Sequence, residues 1–268
     1  MSVKKIDPAG RKAGTVSLET RDLTIRFGGH VAVNSVSCAF KTGTLTAIVG
    51  PNGAGKTTYF NLISGQLNAS AGQVLLNGKD ISHLQASARM HAGLGRAFQL
   101  TSLFPRLTVL ENVRLALQSR RQLGLDMWNI WSDHKDLISR AEEVLEAVAL
   151  AGKRNIYAAA LPHGDQRKLE VGMLMALDPT VYMFDEPTAG MSVDEVPVIL
   201  DLIRNLKAQS DKTILLVEHK MDVVRELADR IIVLHNGTLM ADGEPEAVIA
   251  SPVVQQAYLG LAPVGEAA

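Results

Sequence analysis

Hydrophobic and polar positions change their period twice along the chain. From Ser17 to Phe40, β-branched residues alternate with polar ones on either side of Gly28-Gly29, which predicts two strands joined by a turn. Thr44 to Val49 is a short apolar run of buried-strand type, followed by a glycine-rich loop and a helix from about Lys56 to Ser64. Gln73 to Leu76 predicts another strand, closed by the turn pair Asn77-Gly78. Up to about Ala97 the pattern is β-rich. The period then becomes helical. Val109 to Arg121 and Arg140 to Leu150 read as helices, the second with Ala141, Val144, Leu145 and Val148 on one face and Glu142, Glu143 and Glu146 elsewhere. A third helix is expected from about Gly164 to Leu177. Strand and helix then alternate again: strands at Val181 to Phe184, Thr213 to Val217 and Arg230 to His235, helices at Val193 to Lys207 and Met221 to Ala228. Asn236-Gly237 turns into a strand at Leu239 to Ala241, and two short helices close the chain. This organisation predicts an α/β domain over 16–260 with a helical block inserted at about 100–178, between a flexible tail at 1–15 and a C-terminal tail at 261–268.

Composition narrows the class. The 268 residues suffice for one large domain or two closely joined ones. Hydrophobic residues make up 47% and aromatics only 4%, so the core must be built from Leu, Val, Ile, Ala and Met, as in parallel sheets covered on both faces. A net charge of −1 and the lack of a basic stripe with interleaved aromatics give no footing for a nucleic-acid partner. Cys38 is the single cysteine, so no internal disulfide can form, in keeping with a reducing compartment. It sits in the alternating run Val36 to Phe40 and reads as a packing residue. No apolar run approaches the ~18–20 residues of a membrane span, and Met1 to Gly14 has no apolar core of a secretion signal. Work at a membrane would require docking to another protein.

The chemistry begins at Gly50-Pro51-Asn52-Gly53-Ala54-Gly55-Lys56-Thr57, which matches GxxxxGK[ST]. Glycines let the backbone curl so that successive N–H groups point at phosphate oxygens, and the following helix adds its positive end. Lys56 would reach the β- and γ-phosphates, and the Thr57 hydroxyl would ligate magnesium. Chance produces the pattern in about 1% of chains this long, and here it lies between an expected strand and helix. A metal-bound triphosphate also needs a carboxylate. Val181-Tyr182-Met183-Phe184-Asp185-Glu186 supplies two at a strand end: Asp185 to hold the metal and Glu186 as general base toward the attacking water. Gln99, after the strand-like Arg96-Ala97-Phe98, and His219, beyond the strand at Thr213, fall where ligands of open α/β sheets bind. Leu161-Pro162-His163-Gly164-Asp165-Gln166-Arg167 precedes a helix whose N-terminus can address an anion.

The order of these segments, with Gly95 to Gln99, Leu103 to Val113, Asp185-Glu186-Pro187-Thr188-Ala189-Gly190-Met191 and Ala257-Tyr258-Leu259-Gly260, resembles the nucleotide-binding domain of ABC transporters over about Ser17 to Gly260. In detail it is similar to the ATP-binding subunits of branched-chain amino-acid importers. The resemblance implies a P-loop NTPase fold of ABC type: a mixed core sheet, an N-terminal antiparallel β-subdomain and an inserted helical subdomain. It implies an ATP site shared by two chains. Phe27 would stack on adenine; Gly50, Pro51, Asn52, Gly53, Ala54, Gly55, Lys56, Thr57 and Thr58 would hold the phosphates. Thr57, Gln99 and Asp185 would serve the metal, and Glu186, His219 and Gln99 the hydrolysis. Pro162, His163, Gly164 and Asp165 would close over the γ-phosphate held by the opposite subunit, with Ala189, Gly190, Met191 and Ser192 as the loop coupling the two sites. The segment around Gln99 to Glu111 would receive a coupling helix from a membrane subunit. Implied partners are a second ATP-binding subunit, identical or related, two transmembrane permease subunits and, indirectly, a periplasmic solute-binding protein, with the chain peripheral on the cytoplasmic face of the inner membrane.

Three positions depart from the family pattern. Pro162 stands where a serine is usual and has no hydroxyl to donate. Asp165 replaces a neutral Gln, placing negative charge near an anion, and Ser192 replaces an Asp or Asn. The lost hydroxyl is expected to weaken nucleotide-driven pairing by roughly 1.5–3 kcal/mol. Two rival readings are an exporter motor similar to the lipopolysaccharide-export ATPase and a soluble, non-transport ABC ATPase acting as a clamp. The latter usually carries tandem ATP domains or long coiled-coil insertions, which this chain lacks. Trp128 and Trp131, in the expected helical block, are candidates for a partner contact or for core packing.

Overall fold

The computed structural model describes residues 14–97, 103–120 and 135–259. In chain order it contains β1 (Val16–Phe27), β2 (His30–Lys41), β3 (Leu45–Val49), α1 (Lys56–Ser64), β4 (Ala71–Leu76), β5 (Lys79–Asp80), α2 (Ala86–Ala92), β6 (Leu94–Ala97), α3 (Val109–Arg120), α4 (Lys135–Ala147), α5 (His163–Leu177), β7 (Val181–Asp185), α6 (Val196–Ala208), β8 (Thr213–Val217), α7 (Met221–Leu227), β9 (Arg230–His235), β10 (Thr238–Gly243), α8 (Pro245–Ala250) and α9 (Pro252–Leu259). The residues divide into two compact units. One comprises the chain up to Leu94, Thr180–Asp185 and everything from Lys207 on; the other comprises Gly95–Pro179 and Glu186–Leu206. The second unit thus reaches past the helical insertion expected from the sequence.

The first unit holds two sheets. One is antiparallel, in the order β2-β1-β4-β5. In the other, β9, β3, β8 and β7 are adjacent and parallel, and β10 runs antiparallel to β9 at the edge. The strands β3, β7 and β8 are buried along their whole length, which is why their sequences run nearly unbroken in apolar residues instead of alternating. Ile48, Met183, Leu215, Val217, Ile232 and Leu234 pack in one cluster with Tyr59, Phe60 and Ile63 of α1 and with Leu18, Val36 and Phe40 of the antiparallel sheet. Burying a side chain such as Phe60 contributes about 1.5–3 kcal/mol. The opposite face, with Ala47, Val49, Ile231 and Val233, packs against Val224 of α7, Val248 of α8 and Val254 of α9. Cys38 is buried in the first cluster, and burial raises its thiol pKa.

The helix α2, which carries no clear apolar period, was not expected from the sequence. It is fixed by Arg89, which is 2% exposed and donates to the carbonyls of Leu62 and Ile63 (both 2.7 Å), Leu84 (2.9 Å) and Ser82 (2.9 Å). The first two belong to the last turn of α1, whose carbonyls lack the i+4 donor of a continuing helix. One buried guanidinium therefore closes α1 and anchors α2.

In the second unit α3 opens on a reciprocal cap. Thr108 N–H donates to Glu111 Oε2 at 2.7 Å, and Glu111 N–H donates to Thr108 Oγ1 at 3.2 Å. Buried Asn112 holds the preceding loop by accepting from Phe104 N–H (2.8 Å) and donating to the carbonyls of Phe104 and Thr108. The helix α4 starts earlier and stops sooner than its sequence period suggests. Ala149 adopts φ 56°, and Leu150 N–H returns to Leu145 O at 2.8 Å, which ends the helix. Ala141, Leu145 and Val148 are fully buried.

Candidate functional site

The Gly50 to Thr57 loop joins β3 to α1. Its curl is set by glycines that no other residue could replace. Gly50 has φ 149°, and a Cβ there would lie 2.1 Å from Leu234 O; Gly55 has φ 95°, and a Cβ would lie 2.6 Å from Ala32 O. Gly55 is also the N-cap of α1 and offers no side-chain cap, so no side chain competes for the N–H groups of the first turn. Lys56 is 5% exposed, and its ammonium donates to Gly50 O (2.6 Å) and Pro51 O (2.9 Å). A cleft of about 220 Å³ lies over the loop, lined by His30, Ala32 and residues Gly53, Ala54, Gly55, Lys56, Thr57 and Thr58. Phe27 pairs with His30 across the β1–β2 hairpin and leaves half of its surface open (51%). An open aromatic face beside a phosphate-sized cradle suits a purine nucleotide.

The carboxylate follows from sheet register. Ile48 of β3 is level with Val217 of β8, and Val217 is level with Asp185 of β7. Asp185 thus stands at the same sheet edge as the loop, two strand spacings away, about 10 Å. Strand alternation decides its face. Val181 and Met183 lie in the α1-facing cluster, so Asp185, two residues on, points to the side of the sheet that carries Thr57. His219 comes two residues after Val217 and is exposed at that edge. Glu186 follows Asp185 with φ 50°, a left-handed conformation that costs a non-glycine residue about 1–3 kcal/mol and is concentrated at functional sites. Among the described residues no three His, Cys, Asp or Glu side chains cluster as a ready-made metal cage. A hydroxyl and one carboxylate fit magnesium, which keeps waters and takes the rest of its ligands from phosphate. Gln99 lies outside the described residues, as do Trp128 and Trp131.

The remaining candidates belong to the second unit. Pro162 is the exposed N-cap of α5 and makes no side-chain cap. His163 is exposed, and Gly164 is buried beneath the carboxylate of Glu195: a Cβ on Gly164 would lie 2.0 Å from Glu195 Oε1. Gly190 comes close to His163, whose Cε1 would be 3.4 Å from a Cβ there. Ser192 donates through N–H (3.1 Å) and Oγ (2.9 Å) to Glu195 Oε2 in the turn ahead of α6, which begins at Val196 and not at Val193 because Pro197 has no N–H to give to Val193 O. Asp165 corrects an expectation. Its carboxylate does not present free negative charge: it is 5% exposed and pairs with Lys153 and with Lys168 (3.0 Å). Burial would raise its pKa, but the two lysines outweigh that and hold it below the usual aspartate range. Neither the Glu195 contact nor the lysine pair was foreseen. The Ser192–Glu195 spacing is a legible capping signal, whereas the lysine partners come from folding.

A family model described as "ABC transporter" matches residues 33–189. The chain is 36% identical over 248 residues to the high-affinity branched-chain amino acid transport ATP-binding protein LivG of Salmonella typhimurium, covering 91% of this chain and 97% of that one. It has the same identity and coverage with BraF of Pseudomonas aeruginosa, which carries the same description. Among solved structures, an ATP-binding cassette of an ABC transporter in its ADP conformation superposes with a TM-score of 0.78 at 29% identity, over 92% of this chain and all of that one. A dimeric post-hydrolysis cassette bound to ADP and Pi gives 0.74 at 25% identity, over 85% and 98%.

Proposed function

The chain belongs to the ABC transporter family, and from that premise we propose that it is the ATP-hydrolysing motor subunit of an importer for branched-chain amino acids or related small solutes. The observation that carries this reading is the curled loop of Gly50 to Thr57, with Lys56 inside it and Asp185 level with it at the same sheet edge. Phe27 stacks on adenine, and the loop's N–H groups and Lys56 take the phosphates. Thr57 and Asp185, with Gln99, hold magnesium. When bound, magnesium neutralises charge on the phosphate oxygens. Glu186 accepts a proton from the attacking water as that oxygen bonds to the γ-phosphorus and the β–γ bridging oxygen departs with ADP; His219 contacts the γ-phosphate from the neighbouring strand end.

The motor works as a pair with an identical or related chain, in which Pro162 to Asp165 meet the nucleotide of the opposite subunit and Ala189 to Ser192 couple the sites. The pair is held peripherally, at the cytoplasmic face, by two permease subunits; no helix among the described residues is long and apolar enough to cross a membrane. Phe104, Ile156 and Tyr157 support a docking surface. They are 49%, 39% and 60% exposed, on two segments joined by main-chain bonds such as Val109 N–H to Ile156 O (2.9 Å) and Ala158 N–H to Leu107 O (2.9 Å).

Replacing Glu186→Gln tests the chemistry. The variant is expected to bind Mg-ATP as the parent does and to turn over about a hundredfold more slowly. Unchanged turnover in a phosphate-release assay removes Glu186 from its role.

A further inference from the structure

We propose that Gly237, in the turn between β9 and β10, is a positioning residue for the phosphate loop: it orients a donor of the cradle from outside. This rests on the loop binding Mg-ATP as described above.

Asn236 and Gly237 have φ 48° and 74°, the left-handed pair of a two-residue hairpin. Gly237 N–H donates to Ala54 O at 3.0 Å, and Gly237 O accepts from Asn34 N–H of β2 at 2.8 Å. Ala54 O and the N–H of Gly55 belong to one trans peptide unit, in which the two groups point in opposite directions. Holding the oxygen against the turn therefore aims the Gly55 N–H away from the turn, toward the cleft that Ala54 and Gly55 line. Without this bond, the peptide could rotate and offer its oxygen, which repels phosphate, in place of a donor.

The fit leaves no slack. A Cβ on Gly237 would lie 2.7 Å from Ala32 O, and one on Gly55 would lie 2.6 Å from the same oxygen and 3.3 Å from Gly237 Cα. These neighbours are main chain, so they cannot swing aside. The floor of the loop is built by two segments remote in sequence: the end of β9 with the turn after it, and Ala32 to Asn34 of β2. The motif at Gly50 to Thr57 supplies a backbone able to curl, and the turn selects which way its peptide faces.

The test is calorimetric titration of the full chain with Mg-ATP, on the parent, Gly237→Ala and Thr238→Ala, each held well below its unfolding midpoint. Thr238→Ala breaks a bond of the same turn, Oγ1 to His235 O at 2.9 Å, without touching the loop. Gly237→Ala is expected to bind about tenfold more weakly, the scale of one hydrogen bond, and Thr238→Ala within about twofold of the parent. If Gly237→Ala fails to fold, Gly237→Asn, which tolerates the left-handed backbone but keeps the intruding Cβ, takes its place with the same expectation. Binding by the Gly237 variant within about twofold of the parent, or an equal loss in Thr238→Ala, overturns the proposal. A folded parent that takes up no Mg-ATP overturns instead the reading on which it rests.

Discussion

Gly50 and Gly164 both meet intruding oxygens, and they differ in what can yield. At Gly50 the obstacle is the main-chain oxygen of Leu234, 2.1 Å from where a methyl would stand, and φ is 149°. At Gly164 it is the far end of the Glu195 side chain, 2.0 Å away, on ordinary backbone. Gly50→Ala is therefore expected to lose nucleotide binding outright, with strain of about 1–3 kcal/mol or more at the loop. Gly164→Ala is expected to fold, at a cost of about 1 kcal/mol, by rotating Glu195 out of its bonds to Ser192. Thermal unfolding together with fluorescent-nucleotide titration separates the two; equal damage at both positions contradicts the distinction. The phosphate loop was legible at this scale because its residue types encode φ directly. The charge at Asp165 was not: its two lysine partners are brought to it by folding, and they turn an apparent surface anion into a paired, inward-facing one.

Elements were legible where an apolar period and a cap agree. The helix α3 has both, and its Thr108–Glu111 cap makes a pH-dependent contribution. The bond from Thr108 N–H, followed by that from its hydroxyl, holds the Glu111 carboxyl below the usual glutamate range. Because the folded pKa is the lower one, this stabilisation is complete above the unfolded value of about 4.3 and fades as pH falls through the depressed value. Glu111→Ala is expected to remove about 1 kcal/mol near neutrality, with the gap to the parent closing in acid. Unfolding midpoints across pH check this, and a gap that does not vary with pH argues against it. Period alone placed α4 correctly but missed its ends, since the left-handed turn at Ala149 that stops it has no glycine to announce it. Nothing periodic marks α2, which exists because Arg89 reaches four carbonyls across the fold.

For the whole molecule, the alternation of strand and helix placed the mixed sheet and the order of its parts. Contacts within each unit were less legible, because Gly164 and Glu195, or Ala54 and Gly237, are distant in sequence and share no pattern. On the proposed function, pairing between chains is expected to depend on Pro162. As the exposed N-cap of α5, it offers the first N–H groups of the helix no side-chain acceptor of its own. Pro162→Ser is expected to stabilise the monomer by about 1 kcal/mol through capping and, separately, to strengthen ATP-dependent pairing with a second subunit. Light scattering with and without Mg-ATP distinguishes the effects; a variant that gains stability but pairs no better confines Pro162 to the helix end.

The burial of Cys38 has a practical corollary. With the chain's one native thiol sealed in the core at 5% exposure, a Val193→Cys substitution, at an open position (88% exposed) next to Ser192, would give a maleimide dye a single target. Site-specific labelling could then follow two motors meeting and parting in real time, with the native sulfur left in place.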